Sequence, residues 1–364
     1  MNFVRSMELI NWDDQDITDA EINSVIQSLQ NGVGAKGNNI EYVENKIKDR
    51  LGCNHAILVS NCTTALITSL MVLKKFHPKI KKIAVPSFTF IASANASKLV
   101  LDDVELVDCS MSDWNVRPED ISSDVDALML VDVGGVPCDY DEFKKLGIPI
   151  IADSAESLGS TYKGQQIGTQ ADFHCFSFQR SKIITCGEGG LITTNNHEYA
   201  KECRSIISHG YATNKKSYEY IHTEFGLNFR MCDVEASILK EQFKKLDRYV
   251  ARRNQVAKKY TQYLSPQFQV QKIPDHCTSN YFFYGILVDE GLRNQFAEYL
   301  INGGIMVKCW TAVHQQKLWE CNGLPNATSI SNRIILLPIH NRITDDNVNY
   351  IIETCMNFYE TITI

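Results

Sequence analysis

The chain offers no metal-binding pattern. Its twelve cysteines are scattered, no CxxC pair occurs, and no Cys/His cluster has the spacing of zinc ligands. In a chain of this length they read as buried reduced thiols, and no metal is expected. Long hydrophobic runs are missing too: nowhere do eighteen apolar residues follow one another. The opening MNFVRSMELINWDD has neither an apolar core nor a cleavage signal, so secretion and membrane insertion are not expected and a cytoplasmic location is. The Asn-x-Ser/Thr triplets at Asn61, Asn95 and Asn326 carry no weight in that compartment. An excess of positive charge is also lacking. Lys and Arg number 36 against 43 Asp and Glu, a net charge of −7. That balance argues against nucleic acid or an anionic membrane as the main partner, while leaving room for a local anion site. Repeats, low-complexity tracts and disordered linkers are absent as well.

What is present is an ordinary soluble composition, 44% hydrophobic and 22% charged, over 364 residues. That length exceeds what one core usually covers, so two lobes are expected. Thr18 and Glu21 have capping-box spacing, and Ile22, Val25, Ile26 and Leu29 follow at helical spacing. Ile40, Val43, Ile47 and Leu51 mark a second helix. Short apolar runs then alternate with helical stretches. AILVS (56–60) leads into a helix over 63–75, and IAVP (83–86) leads into a helix from Ile91. VELVD (104–108), ALMLVD (127–132), IPIIAD (148–153), FHCFSF (173–178) and GLITT (190–194) continue the series. The pattern is that of an α/β fold whose large domain is a mostly parallel sheet covered by helices on both faces.

One long amphipathic helix is expected from Cys232 toward Leu264, with Val234, Ile238, Phe243, Leu246 and Val250 on its apolar side. It bridges to a smaller α+β C-terminal domain made of strand 281–288, helix 291–302, strands 305–308 and 334–338, and a closing helix over 344–360. We therefore place a large domain at 1–240 and a small one at 241–364, with the first ~20 residues packing on the small domain.

In such sheets, ligands bind beyond the carboxyl ends of the strands. Gly32-Val33-Gly34-Ala35-Lys36-Gly37 spells a dinucleotide fingerprint, but a helix precedes it where a strand is required, so it reads as a turn. The strand-end residues are more informative. In FSFQRSKIITCGEGGLITT (176–194), Lys182 follows a strand ending at Ser177, and Gly187-Glu188-Gly189-Gly190 turns into the next strand. A lysine that forms an imine must be held at a fixed point and kept partly neutral. In IIADSAESLGS (150–160), Asp153 ends a strand and Glu156 lies one helical turn on. A pyridine-ring cofactor needs a carboxylate on its ring nitrogen to keep it protonated. In VSNCTTAL (59–66), a strand end opens a helix, where backbone N–H groups and Thr hydroxyls suit a phosphate. In VPSFTFIASANA (85–96), Phe90 could stack on a flat cofactor. Each feature alone has a plain structural reading: surface lysine, helix cap or core phenylalanine.

Taken in order, these motifs resemble the DegT/DnrJ/StrS-type sugar aminotransferases, which share the fold of aspartate aminotransferase. The resemblance runs from about residue 12 to the C-terminus and is strongest between 53 and 194. It implies pyridoxal 5'-phosphate as cofactor, bound in the large domain, with Lys182 as the catalytic Schiff-base lysine. Asp153 would then pair with the pyridine nitrogen, Glu156 would approach the phenolic oxygen, and Phe90 would stack on the ring. Cys62 (through its N–H), Thr63 and Ser177 match phosphate-binding positions. FGLNFRMCDVEASI (225–238) resembles a segment whose asparagine, here Asn228, reaches the neighbouring subunit's phosphate, which implies a homodimer with shared active sites. VKCWTAVHQQKLW (307–319) resembles a substrate-side segment ending in a histidine, here His314. Arg180, Lys308 and His314 are the candidates to meet the substrate. The sequence departs from the family at three points: Cys62 stands for a glycine, Asp132-Val133-Gly134-Gly135 replaces a His-x-Tyr-Gly run, and Gln179-Arg180-Ser181 precedes the lysine where many members carry a histidine.

The implied reaction moves an amino group, with glutamate as donor, onto a nucleotide-linked keto sugar, a 4-keto-6-deoxyhexose being favoured. Lys182 would shuttle the proton as base and acid. A keto-cyclitol of the inosose type is the alternative acceptor. A sugar dehydratase and a catalytically silent regulator are the remaining readings. Retention of Lys182 argues against the first of these, and Lys182, Asp153 and Glu156 together argue against the second.

Overall fold

The computed structural model describes residues 9–32, 34, 37–212, 216 and 218–362. Val33, Ala35 and Lys36 of the glycine-rich turn lie outside the described residues. Two helices open the chain, α1 (Asp19–Gln30) and α2 (Asn38–Leu51). The α/β portion follows: β1 (His55–Val59), α3 (Cys62–Phe76), β2 (Lys82–Pro86), α4 (Ala92–Val100), β3 (Asp103–Val107), β4 (Ala127–Val131), α5 (Tyr140–Lys144), β5 (Ile150–Asp153), β6 (Thr161–Tyr162), β7 (Gln165–Gln166), β8 (Phe173–Ser177), β9 (Gly190–Thr194) and α6 (His197–Ile206). Then come α7 (Asp233–Phe243), α8 (Leu246–Leu264), β10 (Gln269–Val270), β11 (Cys277–Thr278), β12 (Tyr284–Leu287), α9 (Arg293–Asn302), α10 (Pro325–Arg333), β13 (Ile334–Leu337) and α11 (Asp345–Ile362).

Seven strands form the main sheet in the order β1-β9-β8-β5-β4-β2-β3. β8, β5, β4, β2 and β3 pair in parallel, and β9 runs antiparallel to both β1 and β8. The strands are short and apolar because both faces are covered. On one side Leu66, Leu70, Ala94, Tyr199 and Cys203 of α3, α4 and α6 pack against Ile57, Val85 and Phe173. On the other, Val43, Ile47, Leu51, Ala236, Leu239 and Tyr249 of α2, α7 and α8 pack against Leu58, Leu130 and Phe176. A second sheet, β10-β12-β13, packs with α8, α9 and α11 around Phe268, Phe296, Ile335 and Phe358. Ile10 joins this C-terminal core and hydrogen-bonds residues 304 and 306 through its backbone, at 2.9 Å each.

The strand series matches the expected runs. Two local expectations do not hold, and the face α1 buries is a further finding. The helix drawn from 232 to 264 is two helices, broken at Lys244–Lys245, and its buried residues are Ala236, Leu239, Leu246 and Tyr249 rather than Val234, Ile238 and Val250. Residues 305–308 make only isolated bridges, to Ile10 and Leu336, and no strand. In α1 the capping box is present, but the helix turns its polar side inward. Glu21, Ser24 and Ser28 are buried, whereas Ile22, Ile26 and Leu29 are 51%, 46% and 51% exposed. Glu21 is held there by Lys245 and Gln242, and Ser28 by Asp233.

Candidate active site

The parallel strands deliver their following residues to one edge of the sheet. β1 ends at Val59, and Asn61 caps α3, its Oδ1 accepting from Thr64 N at 2.9 Å while Thr64 Oγ1 accepts from Asn61 N. The Cys62 and Thr63 N–H groups, the first of the helix, have no intrahelical acceptor and carry the positive end of its dipole. The reversed strand β9 starts at this same edge, with Gly190 paired to both Val59 and Ser177. A Cβ on Gly190 would stand 2.4 Å from the Asn61 carbonyl and 2.7 Å from Cys62 N. Glycine is thus required where β9 passes the helix start.

Asp153 ends β5 and is buried. Its carboxylate accepts from Ser93 Oγ at 2.6 Å and Ala155 N at 3.1 Å, and Cys62 Sγ lies at 3.9 Å. Burial pushes its pKa up, opposed by the Ser93 bond. Among the described residues it has no ion pair within 4 Å, and it lines the cavity described below. Glu156, three residues on, accepts from Gly134 N at 2.9 Å and lies 3.7 Å from Lys182 Nζ. Burial lifts its pKa to about 7 against the pull of that lysine.

Lys182 hangs from a pinned turn. Its N donates to the Gln179 carbonyl at 2.9 Å, and Gln179 Oε1 accepts from Ser181 N and Oγ at 2.8 and 2.9 Å. Phe178 N and the Gly189 carbonyl close the loop at 2.9 Å. The side chain is only 16% exposed, and its ammonium sits 4.1 Å from the centre of the Phe282 ring.

These groups line one cavity of about 720 Å³. Cys62, Thr63, Phe90, Asp153, Glu156, Ser177, Lys182 and Lys308 all reach it. Phe90 is 62% exposed at its wall, which is not how a core phenylalanine sits. Lys308 Nζ lies 3.8 Å from the centre of the Trp12 ring, and desolvation with the nearby Arg180 and Lys182 charges lowers its pKa. Three expected residues are not brought there. The His314 ring is bonded to Ser87 Oγ at 2.6 Å and Thr328 Oγ1 at 2.8 Å, and it lines a separate concavity with Asn332. Arg180 is largely in solvent, 4.0 Å from Asp13. Asn228 is exposed on a backbone bridge to Ser208, away from its own chain's cavity.

Sequence reasoning missed Trp12, Phe282 and Trp310, which also line the cavity; Gln179, noted only as a departure beside the lysine, lines it too. Only Gln179 lies in a strand-end motif; the other three arrive from the N-terminal segment and the C-terminal lobe. The three departures are absorbed locally. The Cys62 side chain packs under Asp153, and Gln179 builds the turn before the lysine. Asp132 is buried away from the cavity, accepting from Tyr140 Oη at 2.8 Å, Ser157 Oγ at 2.6 Å and Cys138 N at 3.0 Å.

The seven-strand sheet with its reversed strand β9 is that of the fold-type I pyridoxal-phosphate enzymes, and the chain is an aminotransferase of this class. The chain belongs to the DegT/DnrJ/EryC1/StrS aminotransferase family, whose model it matches over residues 15–356. It is 31% identical to the GDP-perosamine synthase of Escherichia coli O157:H7, over 90% of this chain and 92% of that protein. It is 27% identical to the UDP-4-amino-4,6-dideoxy-N-acetyl-beta-L-altrosamine transaminase of Campylobacter jejuni strain 81-176, over 97% and 98%. Among solved structures, a Streptococcus pneumoniae chain in its PMP form superposes with a TM-score of 0.91 at 24% identity, over 98% of this chain and 99% of that one. The chain is a sugar aminotransferase that uses pyridoxal phosphate.

Proposed function

We propose that this enzyme transfers the amino group of glutamate to carbon 4 of a nucleotide-linked 4-keto-6-deoxyhexose, with Lys182 as the residue that would hold the cofactor covalently. The observation that carries the reading is the meeting of Lys182, Asp153, Glu156 and the α3 start in one cavity. The names of the relatives, a GDP-linked and a UDP-linked 4-amino sugar enzyme, support the acceptor class.

Pyridoxal phosphate supplies a carbonyl for imine formation and a ring that withdraws electrons. Within this reading the N–H groups of Cys62 and Thr63, with the Thr63 and Ser177 hydroxyls, bind its phosphate. Asp153 holds the proton on the ring nitrogen, and Phe90 covers the ring face. The amine of Lys182 would be placed to take a proton from the donor's Cα in one half of the reaction and to return one to the sugar carbon in the other. Glu156, with its pKa lifted to about 7, is poised to hold a proton near Lys182 Nζ. Lys308 meets the anionic part of the substrate at the cavity.

The reading includes a homodimer in which Asn228 of each subunit completes the other's phosphate site. Asn228's exposure and the uncovered Ile22, Ile26 and Leu29 stripe of α1 both suit such an interface. All twelve thiols are free, which suits a cytoplasmic enzyme.

The test is 2-oxoglutarate release from glutamate in the presence of GDP- and UDP-linked 4-keto-6-deoxyhexoses, with scyllo-inosose in parallel. Turnover only with the nucleotide sugars supports the proposal. Turnover with scyllo-inosose alone would transfer the enzyme to the keto-cyclitol class, and loss of neither activity on Lys182→Ala would remove the lysine's role.

A further inference from the structure

The Lys182 ammonium has two neighbours within the cavity wall, and they come from opposite sides of the fold. Glu156 Oε1, 3.7 Å away, belongs to the strand ends of the main sheet. The Phe282 ring, with its centre 4.1 Å away, arrives from the C-terminal lobe. One residue ties the two together. Asn280 is fully buried; its Nδ2 donates to the Glu156 carbonyl at 2.7 Å and the Leu158 carbonyl at 2.9 Å, while its Oδ1 accepts from Phe282 N at 2.9 Å.

The segment around Phe282 is held on every side. Tyr281 takes a left-handed backbone at φ +49°, fixed by its N–H on Ser279 Oγ at 2.9 Å. The buried Arg253 donates to the Tyr281 and Phe282 carbonyls at 3.0 and 2.9 Å. Trp12 meets the Phe282 ring edge-on at 6.2 Å. A non-glycine residue in that conformation persists only where its surroundings over-determine it, and such strain gathers at functional sites. The outcome is a fixed aromatic face presented to a flexible lysine. A ring face attracts an ammonium and gives a neutral amine little.

We propose that Phe282 is a positioning residue for Lys182: its ring holds the lysine's ammonium beside Glu156 whenever the lysine is not joined to the cofactor, and Asn280 sets ring and carboxylate in common register. The proposal rests on Lys182 being the imine lysine. The lysine is thereby kept from swinging toward the Lys308 side of the cavity, and it returns its proton from a defined point. Glu156 alone would hold the charge but leave the stem free to turn, because a carboxylate 3.7 Å away makes no directed hydrogen bond.

The experiment compares wild type with Phe282→Leu, which keeps apolar bulk but loses the ring face, and Phe282→Tyr, which keeps the face. A further protein carries pentafluorophenylalanine at 282, which keeps the shape and reverses the ring's charge pattern, so a folding defect in the leucine variant leaves the question answerable. Each holoenzyme is converted to its pyridoxamine phosphate form, in which Lys182 is free, and amidinated with methyl acetimidate. Labelling of the Lys182 peptide is followed by mass spectrometry. Loss of the ring face should speed Lys182 labelling about 2- to 5-fold, the size expected for a lost cation–π contact. Lys308 labelling should stay constant, and the tyrosine variant should behave as wild type. The isotope effect with 2-deuterated glutamate should rise in the same two proteins, with the glutamate KM little changed. Wild-type labelling and isotope effect in both the leucine and pentafluoro proteins would overturn the proposal. Borohydride reduction of the pyridoxal form, followed by peptide mapping, separates the two layers. Cofactor fixed to any residue other than Lys182 refutes the lysine assignment itself and, with it, the role of Phe282.

Discussion

Replacing Gly190 by alanine puts one methyl group into the tightest point of the site. The new Cβ would stand 2.4 Å from the Asn61 carbonyl carbon and oxygen and 2.7 Å from Cys62 N, all of them backbone atoms. Ordinary contact begins near 3.4 Å, so β9 and the start of α3 must separate by about 1 Å. No flexible side chain is there to yield. The strand cannot retreat easily either, because Gly190 is paired to Val59 on one side and Ser177 on the other. Overpacking of this kind costs about 1–3 kcal/mol. Its functional effect should be larger, because the displaced atoms include the Cys62 N–H proposed to hold the cofactor phosphate. A displacement of about 1 Å in a positioned group typically costs on the order of 100-fold. We expect the Kd for pyridoxal phosphate, titrated by absorbance, to rise about 100-fold while the protein stays folded. Gly187→Ala is the control. Gly187 lies in the same turn at φ +91° with nothing within 4 Å of a new Cβ, so alanine there strains the backbone without touching the phosphate site. It should lower stability by about 1 kcal/mol and leave cofactor affinity within a factor of about 3. Equal cofactor affinity in the Gly190 and Gly187 variants would refute the reasoning.

Glu156→Gln should change how stability depends on pH in the cofactor-free protein. The native carboxyl titrates at about 7 against 4.5 for an ordinary glutamate, so between those values the folded protein holds a proton that the unfolded chain releases. Its contribution is therefore complete below 4.5 and is lost as pH rises through 7, with a ceiling of about 3 kcal/mol. Urea midpoints at pH 5 and 8 should differ less in the variant; parallel pH profiles would exclude the effect. His314→Ala should lower stability by about 1–3 kcal/mol, since the Ser87 and Thr328 hydroxyls lose a buried partner. The keto-sugar KM should nonetheless stay within about 2-fold, because the imidazole lies outside the Lys182 cavity; a large KM rise with normal stability would return His314 to the substrate. Ile26→Glu adds a charge to the exposed apolar stripe of α1. Sedimentation velocity should show a dimer weakened at least about 100-fold, and an unchanged dimer would remove this face from the interface.

The sheet was legible because its central parallel strands β2, β4 and β5 are buried on both faces and read as short apolar runs, whereas the edge strand β3 is only partly buried. Helix edges and faces were less so. The break at Lys244–Lys245 carries no proline or glycine, so nothing local announces it. The face of α1 was misleading for a physical reason. Its regular apolar stripe predicts burial, yet its inner side is polar because Glu21 and Ser28 serve as partners for Lys245, Gln242 and Asp233. Apolar periodicity reports a helix with an apolar side, not which side the fold turns inward.

The same limit governs the site. Asp153, Glu156, Cys62 and Ser177 were readable because a strand end fixes where a residue must go: register brings Val131 beside Asp153 and Ser177 beside Gly190. His314 had a motif but no such register, and its ring turned to Ser87 instead of the cavity. Trp12, Phe282 and Trp310 had neither. Their positions follow from how Ile10 joins residues 304–306 and how Asn280 and Arg253 fasten the 279–283 segment, both long-range bonds with no local pattern. Strand ends can be read for the groups that would grip a cofactor common to many enzymes. The wall facing them is built from the N-terminal segment and the C-terminal lobe. The acceptor is accordingly better sought in Trp12, Lys308 and Trp310 than in the lysine motif, because these line the cavity without belonging to the machinery that the shared chemistry demands.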